Sequence, residues 1–237
     1  MNTEPVVVLL SGGLDSAVTA CIANTKETEV YPITFSYGQR HIRELECAGK
    51  LSEKLKFHWP KTVYLPDVAV LLKDKTSLVA ASSMKPQTNG GKEGEIPNTW
   101  VPQRNLLFLT YAFMYAEALG ASKVYIGVNA VDYSGYPDCR EKFIDAAEEA
   151  LNLGRKIFVE EGTKIEIITP LIHRTKASIV ETGLGLGVPF ELTSSCYYGG
   201  QKACGLCDSC RIRLQAFSTV GIKDPIEYEV KGADYAR

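Results

Sequence analysis

The chain has 237 residues, of which 45% are hydrophobic, so it is long and apolar enough to bury a sizeable core. Its formal net charge of −2 argues against a general binder of polyanions, and so against direct contact with nucleic acid. The apolar run near the N-terminus is too short for the core of a signal peptide or a membrane span. We therefore expect a cytoplasmic protein without membrane contact, whose seven cysteines are thiols or metal ligands rather than disulfides.

A turn between a strand and a helix near the N-terminus is the most informative stretch. Five apolar residues at 6–10 predict a buried strand, and a helix is expected to start at residues 15–16. Gly12 and Gly13 lack the Cβ that would block a phosphate, and the unpaired N–H groups of a helix start favour an anion. The alternative is a tight turn without a ligand, because the Walker A and Rossmann fingerprints are both absent. The predicted nucleotide-binding residues are Leu10, Ser11, Gly12, Gly13, Leu14, Asp15 and Ser16.

The elements that follow alternate between strands and helices. Strands are predicted at residues 30–35, 61–66, 123–128 and 165–170, and helices around residues 45–55, 104–120, 143–156 and from 175 onward. Such alternation implies a parallel sheet with helices on both faces and a ligand site beyond the C-terminal strand ends. The helix at 104–120 is apolar almost all round and is predicted to be deeply buried. Residues 84–98 lack an apolar period, and we expect them to form a mobile lid.

The segment 127–140 follows the fourth predicted strand and is more aromatic and charged than a simple connection would be. The carboxylates of Asp132 and Asp138 can accept hydrogen bonds from the N–H edge of a purine-like ring. Tyr133 and Tyr136 can stack on such a ring, and Arg140 can pair with a carboxylate. We therefore expect this segment to bind the substrate.

Three charged residues are expected to act on the phosphates. Asp15 can hold a magnesium ion that the phosphates also ligate. Arg104 opens the apolar helix, where it faces the nucleotide or else is a core arginine with satisfied hydrogen bonds. Lys176 falls in the first turn of a helix that Thr175 is expected to cap, a position where a lysine is disfavoured unless an anion offsets it. The alternative for Lys176 is a solvated surface lysine.

Four cysteines are concentrated near the C-terminus, with the spacing Cys196-x7-Cys204-x2-Cys207-x2-Cys210. This set suits a tetrahedral zinc ion, and a closed shell of four thiolates leaves no position for a catalytic water. An iron–sulfur cluster and unliganded thiols are the alternatives. We expect a structural zinc site that attaches the C-terminal helix to the sheet through Arg211, Leu214 and Phe217. The scattered cysteines Cys21, Cys47 and Cys139 are predicted to be packing residues.

Taken together, these motifs resemble the 7-cyano-7-deazaguanine synthase family of the PP-loop ATP pyrophosphatases. The resemblance implies an α/β fold, in which a parallel-sheet, Rossmann-like domain of the adenine nucleotide alpha hydrolase (PP-loop) type spans residues 1–190. A small C-terminal zinc-binding helical region would span residues 191–237. The resemblance also assigns the substrate to Tyr37, Gln39, Arg40, His41 and Asn129. His41 could be a general base or a substrate contact, and a core or surface histidine without a role in the site is the alternative. The segments that carry the resemblance are 11–16, 36–41, 101–105, 129–140, 170–176 and the four clustered cysteines.

The family's reaction, by implication, converts 7-carboxy-7-deazaguanine and ammonia into a nitrile at the expense of ATP. The carboxylate would be adenylated, ammonia would displace AMP to give an amide, and a second ATP would activate the amide for dehydration. Arg104 and Lys176, with a magnesium ion at Asp15, are the expected catalytic groups. Asn2 excludes an amidotransferase nucleophile at that position, so free ammonium is the expected nitrogen donor.

Two alternatives and one open question remain from the sequence. A PP-loop enzyme that thiolates tRNA would need a persulfide-carrying cysteine and a basic surface. A non-catalytic nucleotide-binding module stapled by zinc would bind ATP without turnover. A homodimer is compatible with the sequence, which gives no oligomeric state.

Overall fold

A computed structural model describes residues 3–25, 28–88, 95–129 and 135–230 of the chain. The described residues contain a five-stranded sheet in the order β3-β2-β1-β4-β5, and every pair of neighbouring strands is parallel. The strands are β1 (Glu4–Leu9), β2 (Thr28–Ser36), β3 (Lys61–Tyr64), β4 (Lys123–Tyr125) and β5 (Glu166–Ile168). The helices are α1 (Leu14–Ala23), α2 (Arg43–Leu55), α3 (Pro66–Leu71), α4 (Arg104–Leu119), α5 (Glu141–Leu153), α6 (Lys156–Glu161), α7 (Lys176–Gly185) and α8 (Asp208–Val220).

The central position of β1 explains why apolar and polar residues do not alternate in the N-terminal apolar run. It pairs with β2 from Glu4↔Thr28 to Leu9↔Ile33 and with β4 on its other side, so it has no free edge. Helices cover both of its faces, and a strand buried on both faces is apolar throughout. All the strands run in one direction, so their C-terminal ends meet at a single edge of the sheet.

Two apolar cores lie on opposite faces of the sheet. Val7 and Leu9 of β1 pack into the core that includes buried residues of α4 and α5. Val6 and Val8 face the other way, into the core built with α1, α2, α7 and α8. This division follows from the two-residue period of a strand, which sends successive side chains to opposite faces. The predicted α/β architecture with helices on both faces is confirmed.

Several predicted strands are shorter in the structure. The third ends at Tyr64 instead of continuing to residue 66, because Pro66 opens the helix α3. Proline suits the first helical position, where the missing N–H would have no partner anyway. β4 ends at Tyr125 and β5 at Ile168. The chain beyond β4 stays buried, but it leaves the strand ladder to form the wall of a cavity.

The prediction that α4 is buried on almost all sides was wrong. Leu109, Ala112, Phe113 and Ala116 form its buried stripe, whereas the side chain of Met114 is 63% exposed. The helix lies in the outer layer of the fold and contacts β1, β4 and α5. Its outward face therefore meets solvent although its composition is apolar. Apolar composition alone does not distinguish a helix in an outer layer from one enclosed on all sides.

The predicted lid is only partly described, since residues 89–94 lie outside the described residues. The flanks on either side of this stretch are held together by hydrogen bonds. Asn98 Nδ2 donates to the carbonyl of Lys85, and the backbone N–H of Ser77 donates to the carbonyl of Asn98. The lid itself stays a prediction.

The C-terminal region packs on the main sheet rather than standing apart from it. α8 contacts α7, and Ala216 and Phe217 join the same core as Val6 and Val8. Of the three residues expected to make this attachment, Phe217 does so and Leu214 is half-buried. Arg211 is exposed and donates to the carbonyl of Thr88, so that expectation was wrong for Arg211. The boundary at residues 190–191 stays a prediction.

Among the described helices, none combines the length and the apolar character that crossing a bilayer requires.

Candidate active site

A cavity of about 320 Å³ opens at the edge of the sheet where the strands end. Ligands of open parallel sheets bind in this position, because the connections diverge there and leave a crevice. The walls come from the β1–α1 turn, the end of β2, the starts of α2, α4 and α7, the chain after β4, and residues 195–197. The cavity therefore joins the two regions that the sequence predicted as nucleotide and substrate sites.

The β1–α1 turn requires glycine at position 12. Gly12 has φ of +91°, a conformation that side chains with a Cβ rarely adopt. A Cβ placed there would lie 2.1 Å from the carbonyl oxygen of Glu44, at the start of α2. The carbonyl of Gly12 accepts from the backbone N–H of Ser194 at 2.9 Å. The turn is thus enclosed by two other segments, and no larger residue fits.

Hydroxyl groups shape the rest of the turn. Gly13 is the N-cap of α1, and its carbonyl accepts from Ser16 Oγ at 3.0 Å. The hydroxyls of Ser11 and Ser16 lie 3.0 Å apart, and Ser11 Oγ also accepts from the N–H of Gly13. Two hydroxyls and the positive end of α1 therefore face one small space, an arrangement that favours a bound anion.

Asp15 and Lys176 meet across the cavity although 161 positions separate them. Lys176 Nζ lies 2.9 Å from Asp15 Oδ1 and 2.6 Å from Oδ2. Thr175 caps α7, as predicted, by accepting from the N–H of Ser178. The dipole of α7 disfavours a cation in its first turn, and the Asp15 carboxylate offsets that cost. The sequence suggested a phosphate for this role, whereas the structure supplies a carboxylate.

Arg104 also lines the cavity, from the first position of α4. Gln103 before it has a left-handed backbone, with φ of +57°. Burial opposes the charge of the guanidinium, but the nearby Tyr37 and Asp138 together raise the pKa of Arg104 above its usual value. It therefore stays charged. Burial also raises the pKa of Tyr37, so this phenol stays neutral and can donate a hydrogen bond.

Asp138 is buried behind Arg104 at the start of α4. Its Oδ2 accepts from the backbone N–H of Asn105 at 3.3 Å, and Asn105 Nδ2 donates to its carbonyl. Its Oδ1 is buried without a hydrogen-bond partner among the described residues. Tyr136 lines the cavity beside it, with its hydroxyl 2.6 Å from Thr99 Oγ1. This part of the site therefore combines the aromatic ring of Tyr136, the cation of Arg104 and, buried behind them, the carboxylate oxygen Oδ1 of Asp138.

The four clustered cysteines form a compact set in space. Their sulfur atoms all lie within 4.8 Å of one another, and Cys204 Sγ is 3.9 Å from Cys210 Sγ. Zinc–sulfur bonds of about 2.3 Å in a tetrahedron place sulfurs roughly 3.8 Å apart, so the set fits a metal ion. Backbone N–H groups of Cys204 and Cys207 donate to sulfurs, and hydrogen bonds from Cys207 and Cys210 hold the pKa of Cys196 well below its usual range. The predicted clustering of the four cysteines is confirmed, in an arrangement that could hold a metal ion.

A buried ion pair connects this cluster to the cavity. Both oxygens of Asp224 accept from Arg213 of α8, at 2.7 and 3.0 Å, and Tyr228 donates to the same carboxylate at 2.6 Å. Arg213 also donates to Thr193 Oγ1 at 2.7 Å and to Ser195 Oγ at 3.4 Å. The segment 193–195 lies between the metal ligands and the glycine turn, so the two regions share a support.

A family model described as "Queuosine biosynthesis protein QueC" matches residues 5–221. The chain belongs to the QueC family. The 7-cyano-7-deazaguanine synthase 2 of Desulfitobacterium hafniense (strain Y51) is 44% identical to this chain, over 97% of this chain and 95% of the relative's length. The 7-cyano-7-deazaguanine synthase of Methylococcus capsulatus is 48% identical over 95% of this chain and 99% of its own. The NMN synthetase of Francisella tularensis has a similar fold, with a TM-score of 0.53 at 21% identity over 94% of this chain and 79% of that one.

These relatives confirm the family that the motifs resembled, and with it the expectation of an enzyme of the carbon–nitrogen ligase class. The structure brings most of the predicted site residues of this QueC member to one place. The predicted residues that line the cavity are Leu10, Ser11, Gly13, Leu14, Asp15, Ser16, Tyr37, Gln39, His41, Arg104, Asn129, Tyr136 and Lys176.

Other predicted residues are placed elsewhere. The side chain of Arg40 donates to the carbonyls of Ser77, Ser82 and Met84, so it holds that segment instead of lining the cavity. Arg140 is exposed before α5 and is also outside the lining. Asp132 and Tyr133 lie outside the described residues.

Some predicted cavity residues also have structural partners. Gln39 Oε1 accepts from the N–H of Tyr37, and its Nε2 donates to the carbonyl of Phe35, which together close the turn after β2. Asn129 Nδ2 donates to the carbonyls of Leu171 and Arg174, so it ties the chain after β4 to the start of α7. These contacts hold the cavity wall in place and leave substrate binding by Gln39 and Asn129 a prediction.

Sequence reasoning missed several residues that line the cavity, notably Glu44, Asn105, Ser195 and Arg213. Glu44 has the clearest sequence signal, because it follows His41 by three positions at the start of a helix. That spacing places both side chains on one face. Ser195 and Arg213 carried no signal, since only the packing of α8 brings them to the cavity.

Proposed function

We propose that this chain converts 7-carboxy-7-deazaguanine and ammonia into 7-cyano-7-deazaguanine with ATP as the co-substrate. The name of the QueC family's curated members supports this reaction. The observation that carries it is the single cavity lined by a glycine turn, a half-buried arginine and two tyrosines. One end suits a polyphosphate, and the other suits a flat, polar ring that bears a carboxylate.

ATP would bind with its phosphates over the turn at Ser11–Ser16, where two hydroxyls and the N-terminus of α1 converge. Asp15 would hold a magnesium ion together with the phosphates, and that ion would reduce the negative charge that the attacking carboxylate meets. Lys176 is in contact with Asp15 and would bind the phosphates beside it. Asp15, Lys176 and Arg104 are the residues that we assign to catalysis.

The deazaguanine acid would lie between Tyr136 and Arg104. A charged Arg104 would hold its carboxylate toward the α-phosphate, so that the attack is in line with the departing pyrophosphate. Tyr37, Gln39, His41 and Asn129 would complete the walls. Ammonia then gives the amide, and a second adenylation lets the amide oxygen leave as part of AMP. Each nitrile therefore uses two ATP and yields two AMP.

The four cysteines would hold a zinc ion with a structural role. A zinc ion bound by four thiolates has no free position, so its contribution is to the stability of residues 193–210. The geometry also weakens the alternative of tRNA thiolation. The clustered thiols suit a metal, and burial raises the pKa of the remaining cavity cysteine, Cys139, to about 11, which makes it a poor sulfur carrier.

The test is incubation of the metal-loaded protein with 7-carboxy-7-deazaguanine, ATP, magnesium and ammonium, followed by mass spectrometry. We expect the amide to appear first and the nitrile after it, with two AMP formed for each nitrile. ADP as the adenine product, or no product in the presence of every component, would contradict the proposal. A homodimer stays a prediction, to be checked by light scattering.

A further inference from the structure

Two titratable side chains face the cavity at the start of α2, and neither has been given a part in proton transfer above. His41 Nε2 lies 3.4 Å from Glu44 Oε2, and these side chains are 9% and 17% exposed. His41 Nδ1 is buried without a hydrogen-bond partner among the described residues. A protein rarely leaves such an atom unfilled unless a ligand or a water completes it.

The position of Glu44 places it beside the reacting groups. A Cβ built on Gly13 would be 3.7 Å from Glu44 Oε1, so the carboxyl group adjoins the turn that would hold the phosphates. Arg104 and Cys196 are the charged or titratable groups that act on both side chains from neighbouring elements. The carboxyl group thus lies between the glycine turn and the arginine.

We propose that Glu44 and His41 accept the two protons that ammonium loses when its nitrogen attacks the activated carboxylate. This inference rests on the proposed function. Ammonium gives one proton to the Glu44 carboxylate, and the freed lone pair forms the carbon–nitrogen bond to the acyl adenylate. The carbon–oxygen bond to AMP then breaks, AMP leaves with that electron pair, and the second proton passes from nitrogen to His41. The products are the amide, AMP and two protonated side chains.

The environment of each group suits its part. Burial lowers the pKa of His41 to about 4, so its imidazole is neutral and can accept a proton or a hydrogen bond. Burial raises the pKa of Glu44 to about 8, so the group is ionised in part near that pH, and the carboxylate that forms is a stronger base than an exposed one. Among the described residues that line the cavity, the carboxylates are Asp15 and Glu44, and Asp15 is paired with Lys176. Glu44 is therefore the carboxylate left for the incoming nucleophile.

The experiment compares two nucleophiles in the variant Glu44→Gln. Ammonium must lose a proton before it attacks, whereas hydroxylamine is largely unprotonated at neutral pH and attacks directly to give a hydroxamate. We expect amide formation from ammonium to fall about 10²- to 10⁴-fold, the usual range for a missing general base. Two other rates should stay within about threefold of the unmodified protein, because a group that acts only in proton transfer does not affect them. They are the rate of hydroxamate formation and the rate at which pyrophosphate exchanges into ATP in the presence of 7-carboxy-7-deazaguanine. The ammonium defect should shrink as the pH rises, because free ammonia then becomes abundant.

Glu46→Gln is the matched control, since Glu46 is exposed on the same helix and should leave every rate unchanged. His41→Gln should also slow the ammonium reaction more than the hydroxylamine reaction. An equal loss of both nucleophile reactions in Glu44→Gln would overturn the inference, as would full activity with ammonium. If the unmodified protein shows no pyrophosphate exchange and no amide, the proposed function fails and the inference fails with it. The result for the unmodified protein therefore separates the two failures.

Discussion

The two ends of the cavity are built in different ways. The end at the glycine turn, where we propose that the phosphates bind (the phosphate end), comes from consecutive residues, 11–16, and its shape depends on the backbone, since Gly12 leaves no space for a Cβ. The other end, where we propose that the ring binds (the ring end), comes from the starts of α2 and α4 and the segment before α5, and its character depends on half-buried side chains such as Arg104 and Tyr136. Position 12 therefore tolerates no added atom, whereas binding at the ring end should weaken in proportion to the side-chain group removed.

The largest effect should follow from Gly12→Val. The new Cβ would overlap the carbonyl oxygen of Glu44, and the φ of +91° would be strained for any side chain. We expect loss of ATP binding, measured by calorimetry, together with a lower melting temperature. Gly185→Ala is the control, because nothing lies within 4 Å of a Cβ at that position. Normal ATP affinity in Gly12→Val would show that the turn does not hold the phosphates.

Cys207→Ser should lower the affinity for ATP although Cys207 does not line the cavity. Loss of one ligand should release the metal, and structural metal sites contribute directly to folding free energy. Because Ser194 holds the Gly12 carbonyl two positions before Cys196, ATP affinity should fall as well. Metal content by mass spectrometry, melting temperature and ATP binding measure the three effects. Cys21→Ser, at a buried cysteine outside the cluster, should keep the metal. Unchanged ATP affinity after metal loss would show that the cysteine cluster does not support the glycine turn.

Lys176→Met should reduce kcat about 10²- to 10³-fold, the usual cost of removing one group that stabilises charge in a transition state. Removal of the lysine also leaves the Asp15 carboxylate without its 2.6 Å partner. The rate of pyrophosphate release measures the effect, and Lys54→Met at an exposed position of α2 should have none. A rise in KM for ATP with normal kcat would assign Lys176 to binding alone.

Glu44→Gln should stabilise the folded protein, and the gain should depend on pH. Burial raises the pKa of Glu44 from 4.5 to about 8, so its ionisation favours the unfolded state. Below pH 4.5 both states bind the proton and the glutamate has no cost. The cost grows between pH 4.5 and 8 and is constant above that window. The difference in melting temperature between variant and unmodified protein should therefore widen from pH 5 to 8. A constant difference would contradict the shifted pKa.

The smallest effect should come from Tyr136→Phe at the ring end. The ring keeps its stacking face but loses the 2.6 Å hydrogen bond with Thr99. One neutral hydrogen bond contributes about 1 kcal/mol, so KM for the deazaguanine acid should rise only a few-fold. Tyr136→Ala should raise it much more. Equal effects of the two variants would mean that the hydroxyl, and not the ring face, determines binding.

Sequence patterns predicted the helices, strands and turns better than they predicted burial and contacts between distant residues. The β1 strand, the glycine turn, the Thr175 cap and the cysteine cluster all depend on residues close together in the chain, and each was found where it was expected. The burial of α4 was overestimated, because whether a face meets solvent depends on which element packs against it. The Arg40 side chain was placed at the substrate although three distant carbonyls hold it elsewhere.

The amino-acid sequence by itself determined the alternation of strands and helices that predicts a parallel sheet, a glycine turn between the first strand and helix, and four thiols spaced for one metal ion. These are local features, because the apolar period of a strand or helix, the backbone freedom of glycine and the spacing of metal ligands are all read over a few neighbouring residues. Only the tertiary structure decided that Asp15 pairs with Lys176, that Glu44 lies beside the glycine turn with His41 next to it, and that Arg213 supports the segment beside Gly12. Those contacts join residues far apart in the chain, so they exist only once the helices have packed on the sheet.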